Sequence, residues 1–373
     1  MNILIVVHAI KGGGAERVAV NLANKFKRDG NNVYLSCDTQ YPFAYPVDEQ
    51  IIVFNHREGC DNTNFWSRFT WFRFLRMEKN FRTIAKQVRP DVVISFMTEM
   101  NIYVTLALLG TRIPIVVTEH TNVARMAGRF NKLMYRFVYP LDAAVTVLTH
   151  YDLKKWKKIF HNVVCMPNPI PIEVDPAIYN NRERNKVVLA AGRVDAWSVK
   201  GFDNLIRGWN MICGQNPEWE LHIAGHYNEE DKQYLESLMN CNSNKSIKFL
   251  GFKKDIGKVM SQSEIFVLSS RWEGLPMGLL EAMDKGCCCV AFDVITGPSD
   301  IIRNNINGIL VKNQDVDELA SSLLKVIDDA ELRQKLAGNA HLSILKFSEE
   351  AISRRWYLLF DKILKIHKNE TNR

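Results

Sequence analysis

Short runs of apolar and β-branched residues recur along this chain, each followed by a polar loop or a helical pattern. Ile3 to Val7, Val33 to Cys37, Val92 to Phe96, Ile115 to Thr118, Ala144 to Leu148 and Val163 to Met166 form a first series. Runs this short predict buried strands, and the helical stretches between them predict a parallel sheet covered on both faces. The closely spaced prolines of Pro167-Asn168-Pro169-Ile170-Pro171 remove donors and disfavour helix, which predicts a linker. A second series opens with Lys186 to Ala191 and continues with Glu220 to Ala224, Ile247 to Leu250, Ile265 to Leu268, Cys288 to Phe292 and Ile309 to Val311. Helical patterns lie near Phe202 to Cys213, Glu229 to Met239, Asp255 to Ser261 and Asp315 to Ile327. In the last segment, Ser348 to Ile366, the residues Ile352, Trp356, Leu359, Phe360, Ile363 and Leu364 recur near helical spacing. Two doubly wound α/β domains therefore share the chain, and ligands in such sheets sit beyond the carboxyl ends of the strands.

The length agrees, since 373 residues exceed the roughly 250 to 300 at which single cores stop growing. No stretch reaches the roughly 20 apolar residues of a membrane span, because Ile102 to Val117 is broken by Gly110, Thr111, Arg112 and Pro114. The opening Met1 to Val7 lacks a basic region and a cleavage site and reads as a first strand, so a cytoplasmic protein is expected. Eight cysteines form no CxxC pair. Cys287-Cys288-Cys289 falls in a strand pattern, where successive side chains point to opposite faces and cannot converge on one metal.

A net charge of +7 suggests an anionic partner. Phe65 to Arg89 interleaves Trp66, Phe69, Trp71, Phe72, Phe74 and Phe81 with Arg68, Arg73, Arg76, Lys79, Arg82, Lys86 and Arg89. A second basic run is Lys154-Lys155-Trp156-Lys157-Lys158. The first stretch reads either as an amphipathic helix with solvated cations or as a surface that docks on anionic lipid from the cytoplasmic side. No nucleic-acid module accompanies the charge, so nucleic acid is not an expected partner.

The most informative stretch is Ser270-Arg271-Trp272-Glu273-Gly274-Leu275-Pro276-Met277-Gly278-Leu279-Leu280-Glu281. Gly274 and Pro276 punctuate a loop and a helix starts near Met277, so N–H groups around Met277 to Leu279 are orphan donors able to hold an anion. Glu273 and Glu281 flank them with pure acceptors suited to sugar hydroxyls. A sugar nucleotide fits this pattern. Arg193 and Lys200, at a strand-end loop, supply the fixed positive charge that a departing diphosphate requires. Gly12-Gly13-Gly14 lies between the first strand and a helix from about Ala15 to Arg28, where a backbone approaches a ligand closely. The spacing is not that of a GxGxxG dinucleotide turn, which makes a redox enzyme least expected. The only DxD triplet, Asp315-Val316-Asp317, opens a helix and reads as a cap, while Asp195 and Asp293 are isolated, so no divalent metal or other cofactor is expected. His120, at the end of Ile115 to Glu119, occupies a position from which a side chain reaches a ligand.

In this order these segments resemble retaining glycosyltransferases of family 4. The resemblance runs through Gly12 to Arg17, Thr118-Glu119-His120-Thr121-Asn122, Gly192-Arg193 with Lys200-Gly201-Phe202, the Glu-x7-Glu pair and Gly297-Pro298-Ser299-Asp300. It implies a GT-B fold, with two Rossmann-like domains facing across a cleft. An acceptor domain would span 1–167, a nucleotide-sugar domain 168–346, and a helix crossing back to the first domain 347–373. It also implies that Glu273 contacts donor-sugar hydroxyls and Glu281 the ribose, with Gly274, Leu275, Met277, Gly278 and Leu279 between them at the donor. Gly13 and Gly14 would lie near the diphosphate. His120, Glu273, Arg193 and Lys200 would carry the chemistry, and Glu119, His120, Thr98 and Asn101 would shape the acceptor pocket. The Ser95-Phe96 and Glu119 to Asn122 segments resemble bacterial enzymes that build O-antigen, capsule and other lipid-linked glycans. The expected reaction moves a hexose or N-acetylhexosamine from a nucleotide-diphosphate sugar, UDP favoured, to a polyprenyl-diphosphate-linked acceptor at the inner membrane face. A same-fold epimerase or inverting transferase, and a non-catalytic sugar-nucleotide-binding subunit, are the rivals.

Overall fold

The computed structural model of the protein describes residues 1–58, 70–120, 129–172 and 184–371, with side chains described in these ranges except at 70–74, 129–133 and 370–371. The chain forms two compact units, Met1–Pro169 with Glu349–Arg373, and Ile170–Ser348.

The first unit is built on parallel strands β1 (Asn2–Ala9), β2 (Asn32–Asp38), β3 (Ile52–Asn55), β4 (Val92–Phe96), β5 (Ile115–Glu119), β6 (Ala144–Val147) and β7 (Val163–Cys165). Their order is β3-β2-β1-β4-β5-β6-β7. Connecting them are α1 (Gly14–Arg28), α2 (Thr70–Val88), α3 (Thr98–Ala107), α4 (Arg129–Val138) and α5 (His150–Trp156). Strand periodicity explains the layering. Ile3, Ile5 and Val7 of β1 face the cluster containing α1, whereas Leu4 and Val6 face the one containing α2 to α5. Both sheet faces are therefore covered, as the unbroken apolar runs require.

The second unit repeats the scheme with β8 (Asn185–Ala191), β9 (Glu220–Ala224), β10 (Ile247–Gly251), β11 (Ser263–Leu268), β12 (Cys288–Asp293) and β13 (Ile309–Lys312), in the order β10-β9-β8-β11-β12-β13. Its longer helices include α6 (Phe202–Ile212), α7 (Glu229–Ser237), α8 (Met277–Asp284), α9 (Val316–Asp328) and α10 (Ala330–Ile344). The last helix, α11 (Glu349–Thr371), belongs to the first unit, where Ile352, Trp356, Leu359, Phe360 and Ile363 join the α1 side of the core. Phe26 of α1 lies 5.7 Å from Phe360 and 6.4 Å from Trp356.

In each sheet the chain builds outward in one direction from the central strand and then in the other. That makes a topological switch point between β1 and β4 and another between β8 and β11, and ligands collect at the strand ends beside such points.

Two elements lie outside the sequence expectations, β3 and α10. In α2, Met77, Phe81, Ile84, Ala85 and Val88 are buried while Arg76, Lys79 and Lys86 are exposed, the arrangement of an ordinary amphipathic helix. Trp66, Arg68 and Phe69 lie outside the described residues, as do Thr121 and Asn122. Asp315 caps α9, its carboxylate accepting from the Glu318 N–H at 3.0 Å. Cys287, Cys288 and Cys289 are buried, and among the described residues no group of three or more His, Cys, Asp or Glu side chains is placed to hold a metal ion. Also among the described residues, no helix is long and apolar enough to cross a membrane.

Candidate functional site

At the second switch point the loops after β8 and β11 are tied together. Lys200 ends a single helical turn, Trp197–Lys200, and its Nζ donates to Glu273 Oε1 at 2.8 Å. Ser270 Oγ donates to the same oxygen at 2.7 Å. Among the described residues Glu273 Oε2 has no hydrogen-bond donor, so one carboxylate oxygen is fixed and the other is left as an acceptor. The Glu273 carbonyl is held in turn by Thr296 Oγ1 at 2.5 Å. Gly201 makes the approach of the two loops possible. Its φ is +65°, and a Cβ there would sit 1.9 Å from the Ser269 carbonyl oxygen. Ser269 Oγ closes the same junction by donating to the Lys200 carbonyl at 2.9 Å.

Arg271 is the second tie. Its guanidinium forks onto Asp203 at 2.7 and 2.8 Å, donates to the Ser198 carbonyl at 2.8 Å, and its backbone N–H reaches the Val199 carbonyl at 2.8 Å. Burial pushes the Asp203 carboxyl upward, but the bonds and charge of Arg271 outweigh it and leave the group below the usual carboxylate range. Arg271, Asp203 and Thr296 were not singled out in the sequence, because their partners are distant along the chain.

After this loop α8 begins with Pro276 as its N-cap residue and no side-chain cap. Helix geometry leaves the Met277 and Gly278 N–H groups without an intrahelical acceptor. The third expected donor is spent, since the Leu279 N–H bonds the Pro276 carbonyl at 3.1 Å. Leu275 and Leu279 have buried side chains and face the loop through their backbone alone. Met277, Gly278 and Glu281, spaced as one helical stripe, are the half-buried positions of α8, whereas Leu280, Ala282 and Met283 point into the core. Glu273 and Glu281 thus bracket an open helix start. Arg193 forks onto Asp195 at 3.1 and 2.8 Å, with 74% of its side chain exposed.

In the first unit, Gly13 and Gly14 begin α1 next to the first switch point. The N–H groups of Lys11, Gly12 and Gly13 already have an acceptor, the carboxylate of Glu16. At the end of β5, Glu119 turns inward. Its carboxylate accepts from Thr98 Oγ1 at 2.9 Å, from Asn101 Nδ2 at 3.1 Å and from the Tyr139 hydroxyl. Burial raises the Glu119 carboxyl to about 7 against the lowering effect of these donors, and burial likewise raises the Tyr139 hydroxyl. Thr98, Asn101 and Glu119 are brought together, with Asn101 and Glu119 buried and bonded to each other. His120 is half-buried. It stacks on Phe96 at 5.2 Å and lines a small cavity with Thr118, Thr146, Met166, Asn168 and Trp356. Desolvation lowers its pKa to about 4, so the imidazole is neutral at physiological pH.

Comparisons with known proteins agree with this arrangement. The family described as "Glycosyl transferases group 1" matches residues 171–342, and "Glycosyltransferase Family 4" matches residues 12–174. The chain is 35% identical over 338 residues to an Escherichia coli UDP-Gal:alpha-D-GlcNAc-diphosphoundecaprenol alpha-1,3-galactosyltransferase, covering 85% of each chain. It is 25% identical to a Campylobacter jejuni alpha-1,4-N-acetyl-D-galactosaminyltransferase named for a PP-undecaprenol-linked glycan, covering 97% of this chain and 99% of that one. In fold it is similar to Anabaena HepE solved in complex with UDP, with a TM-score of 0.76 at 17% identity, covering 97% of this chain and 100% of the other. Two parallel α/β units, each with a topological switch point, and these matches lead to one conclusion: the chain belongs to glycosyltransferase family 4 and is a transferase with the GT-B fold.

Proposed function

We propose that the protein transfers a hexose or N-acetylhexosamine, with retention of configuration, from a nucleotide-diphosphate sugar to a polyprenyl-diphosphate-linked glycan in bacterial surface polysaccharide synthesis. The observation that carries the donor side is the Lys200 to Glu273 bond of 2.8 Å beside the uncapped start of α8. An ammonium has three N–H donors, so Lys200 keeps one on Glu273 while others meet a phosphate. The Met277 and Gly278 N–H groups receive the diphosphate at a helix start. Glu273 Oε2 accepts from a sugar hydroxyl, and Glu281, one turn into α8, accepts from the ribose. Arg193 has an Nη1 to offer beyond the two nitrogens it gives Asp195, and adds charge at the edge.

In the reaction, the bond from the anomeric carbon to the diphosphate oxygen breaks and a bond to the acceptor oxygen forms on the same face. The acceptor proton passes to the departing diphosphate. Fixed cations lower the barrier by stabilising the charge that grows on the leaving group, so divalent metal is proposed to be dispensable. On the acceptor side, neutral His120 hydrogen-bonds a hydroxyl without adding charge. UDP is favoured as carrier, in keeping with the names of the E. coli relative and the Anabaena complex. The polyprenyl acceptor is favoured by the names of the E. coli and C. jejuni relatives. Exposed cations of α2, with Lys154, Lys155, Lys157 and Lys158, would hold the first unit against an anionic bilayer.

The test is thermal stabilisation by UDP, GDP and ADP with and without chelator, followed by transfer of labelled sugar to an undecaprenyl-diphosphate glycan and assignment of the product anomer. A nucleotide at about 100 times its Kd adds about 2.7 kcal/mol. Glu281→Gln should weaken nucleotide binding, and Glu273→Gln should mainly lower turnover. No shift with any nucleotide, or an inverted product, overturns this reading.

A further inference from the structure

Between β1 and α1, three successive backbone N–H groups converge on one atom. Lys11, Gly12 and Gly13 donate to Glu16 Oε2 at 2.5, 2.9 and 3.0 Å. Consecutive N–H groups pointing to one centre make an anion nest. The sequence suggested that the glycines open this turn to a ligand phosphate, yet its occupant is the chain's own carboxylate. We propose that Glu16 is a positioning residue for glycosyl transfer. Its carboxylate stays in the nest throughout the reaction and sets the shape of the Gly12 to Gly14 turn, which meets its ligand through backbone proximity and not through these three N–H groups.

Several features favour a permanent occupant over a displaceable one. Glu16 stands in the first turn of α1, three residues from Gly13, so it competes as a tethered group at high effective concentration. Its negative charge also lies at the start of a 15-residue helix, where the dipole favours it. Gly13 has no side chain with which to cap α1, so the bond from its N–H to Glu16 is the half of a capping box that remains. Absence of that side chain has a second use: a Cβ on Gly13 would lie 3.3 Å from the Glu16 carboxyl carbon, a tight contact, whereas one on Gly14 would meet nothing within 4 Å. Surrounding contacts brace the turn without competing for the carboxylate. Tyr45 donates its hydroxyl to the Gly13 carbonyl at 3.4 Å, the Ala44 N–H bonds the Ile10 carbonyl at 2.9 Å, and the Lys11 ammonium sits 3.2 Å over the Tyr41 ring.

Glu16→Ala and the isosteric Glu16→Gln test the proposal through amide hydrogen exchange of residues 9–15 in the full chain. Exchange in Glu16→Ala should rise at least tenfold, with Glu16→Gln between it and wild type and residues 92–96 unchanged. Sodium formate at tens of millimolar should refill the emptied nest and slow exchange in Glu16→Ala, with no effect of sodium chloride and none of formate on wild type. In turnover, Glu16→Ala should lower kcat more than tenfold with donor KM changed less than threefold, and formate should restore part of the loss. Inorganic phosphate or pyrophosphate that protects residues 9–15 in wild type would show that Glu16 gives way to an anion and would overturn the proposal, as would unchanged exchange in Glu16→Ala. The turnover arm rests on the proposed donor and acceptor, while the exchange arms need neither, so failure of one reading is distinguishable from failure of the other.

Discussion

Replacing Arg271 with alanine should damage the donor loop more than the exposure of a surface arginine suggests. The wild-type side chain holds Asp203 by two bonds of 2.7 and 2.8 Å and the Ser198 carbonyl by a third of 2.8 Å. Asp203 keeps only 6% of its side-chain surface, and Arg271 keeps 28%. Removing one partner from a fully buried pair costs about 3–5 kcal/mol. Partial exposure of Arg271 and the presence of Arg207 at 3.8 Å from Asp203 reduce this to about 2–3 kcal/mol. Urea denaturation at pH 7, with Asp203→Asn and the double variant completing a cycle, measures the coupling. The sign with pH follows from the depressed Asp203 carboxyl: its contribution is present above the unfolded pKa and disappears as pH falls through the lower folded value. The gap between wild type and Arg271→Ala should therefore narrow in strong acid. A coupling below about 0.5 kcal/mol, the range of an ordinary surface pair, would refute the clamp.

Further predictions concern the rest of the site. Gly201→Ala places a Cβ 1.9 Å from the Ser269 carbonyl oxygen at a left-handed φ, so stability should fall by at least about 2 kcal/mol and nucleotide-induced stabilisation should shrink; an unchanged melting temperature argues against that role. Glu119, raised to about 7, should make wild-type stability fall by about 2–3 kcal/mol between pH 4.5 and 7, and Glu119→Gln should remove that fall. His120, lowered to about 4, has the opposite sign: it costs stability as pH drops below 6.5, so His120→Asn should flatten the acid side of the profile. If either variant keeps the wild-type profile, the corresponding burial effect is absent. Lys157→Glu with Lys158→Glu should weaken sedimentation with phosphatidylglycerol vesicles by about 2 kcal/mol or more, roughly thirtyfold, and unchanged sedimentation removes these lysines from any lipid contact.

Much of this architecture was legible because buried parallel strands write themselves as unbroken apolar runs, as in Val92 to Phe96, where strand and reading coincide. β3 was not, since all four of its residues retain some exposure at the sheet edge and carry no buried run. α10 was hidden for a related reason: only Leu336, Ala340 and Ile344 of its fifteen residues are buried, too few for a periodic stripe. Glu273, Lys200 and the start of α8 stand out in the sequence because each sits at a Gly or Pro boundary that a short pattern captures. Arg271 with Asp203, 68 positions apart, left no such local mark. The Arg193 fork onto Asp195 was equally unmarked in the sequence, although the two residues are only two positions apart. Glu16 was visible as a letter in a motif, but the direction in which three N–H groups point is a property of the turn.

The packing of α11 against α1 also sets an order of events during synthesis. Phe26 emerges from the ribosome early, yet its partners Trp356 and Phe360 are made last. The second unit, made of the uninterrupted stretch Ile170–Ser348, is complete before the first can close its core. Until then the nascent chain carries an uncovered apolar face along α1, exposed to chaperones and to other chains. A fragment ending at Pro169 keeps that face open, whereas residues 170–348 contain every contact of their own core.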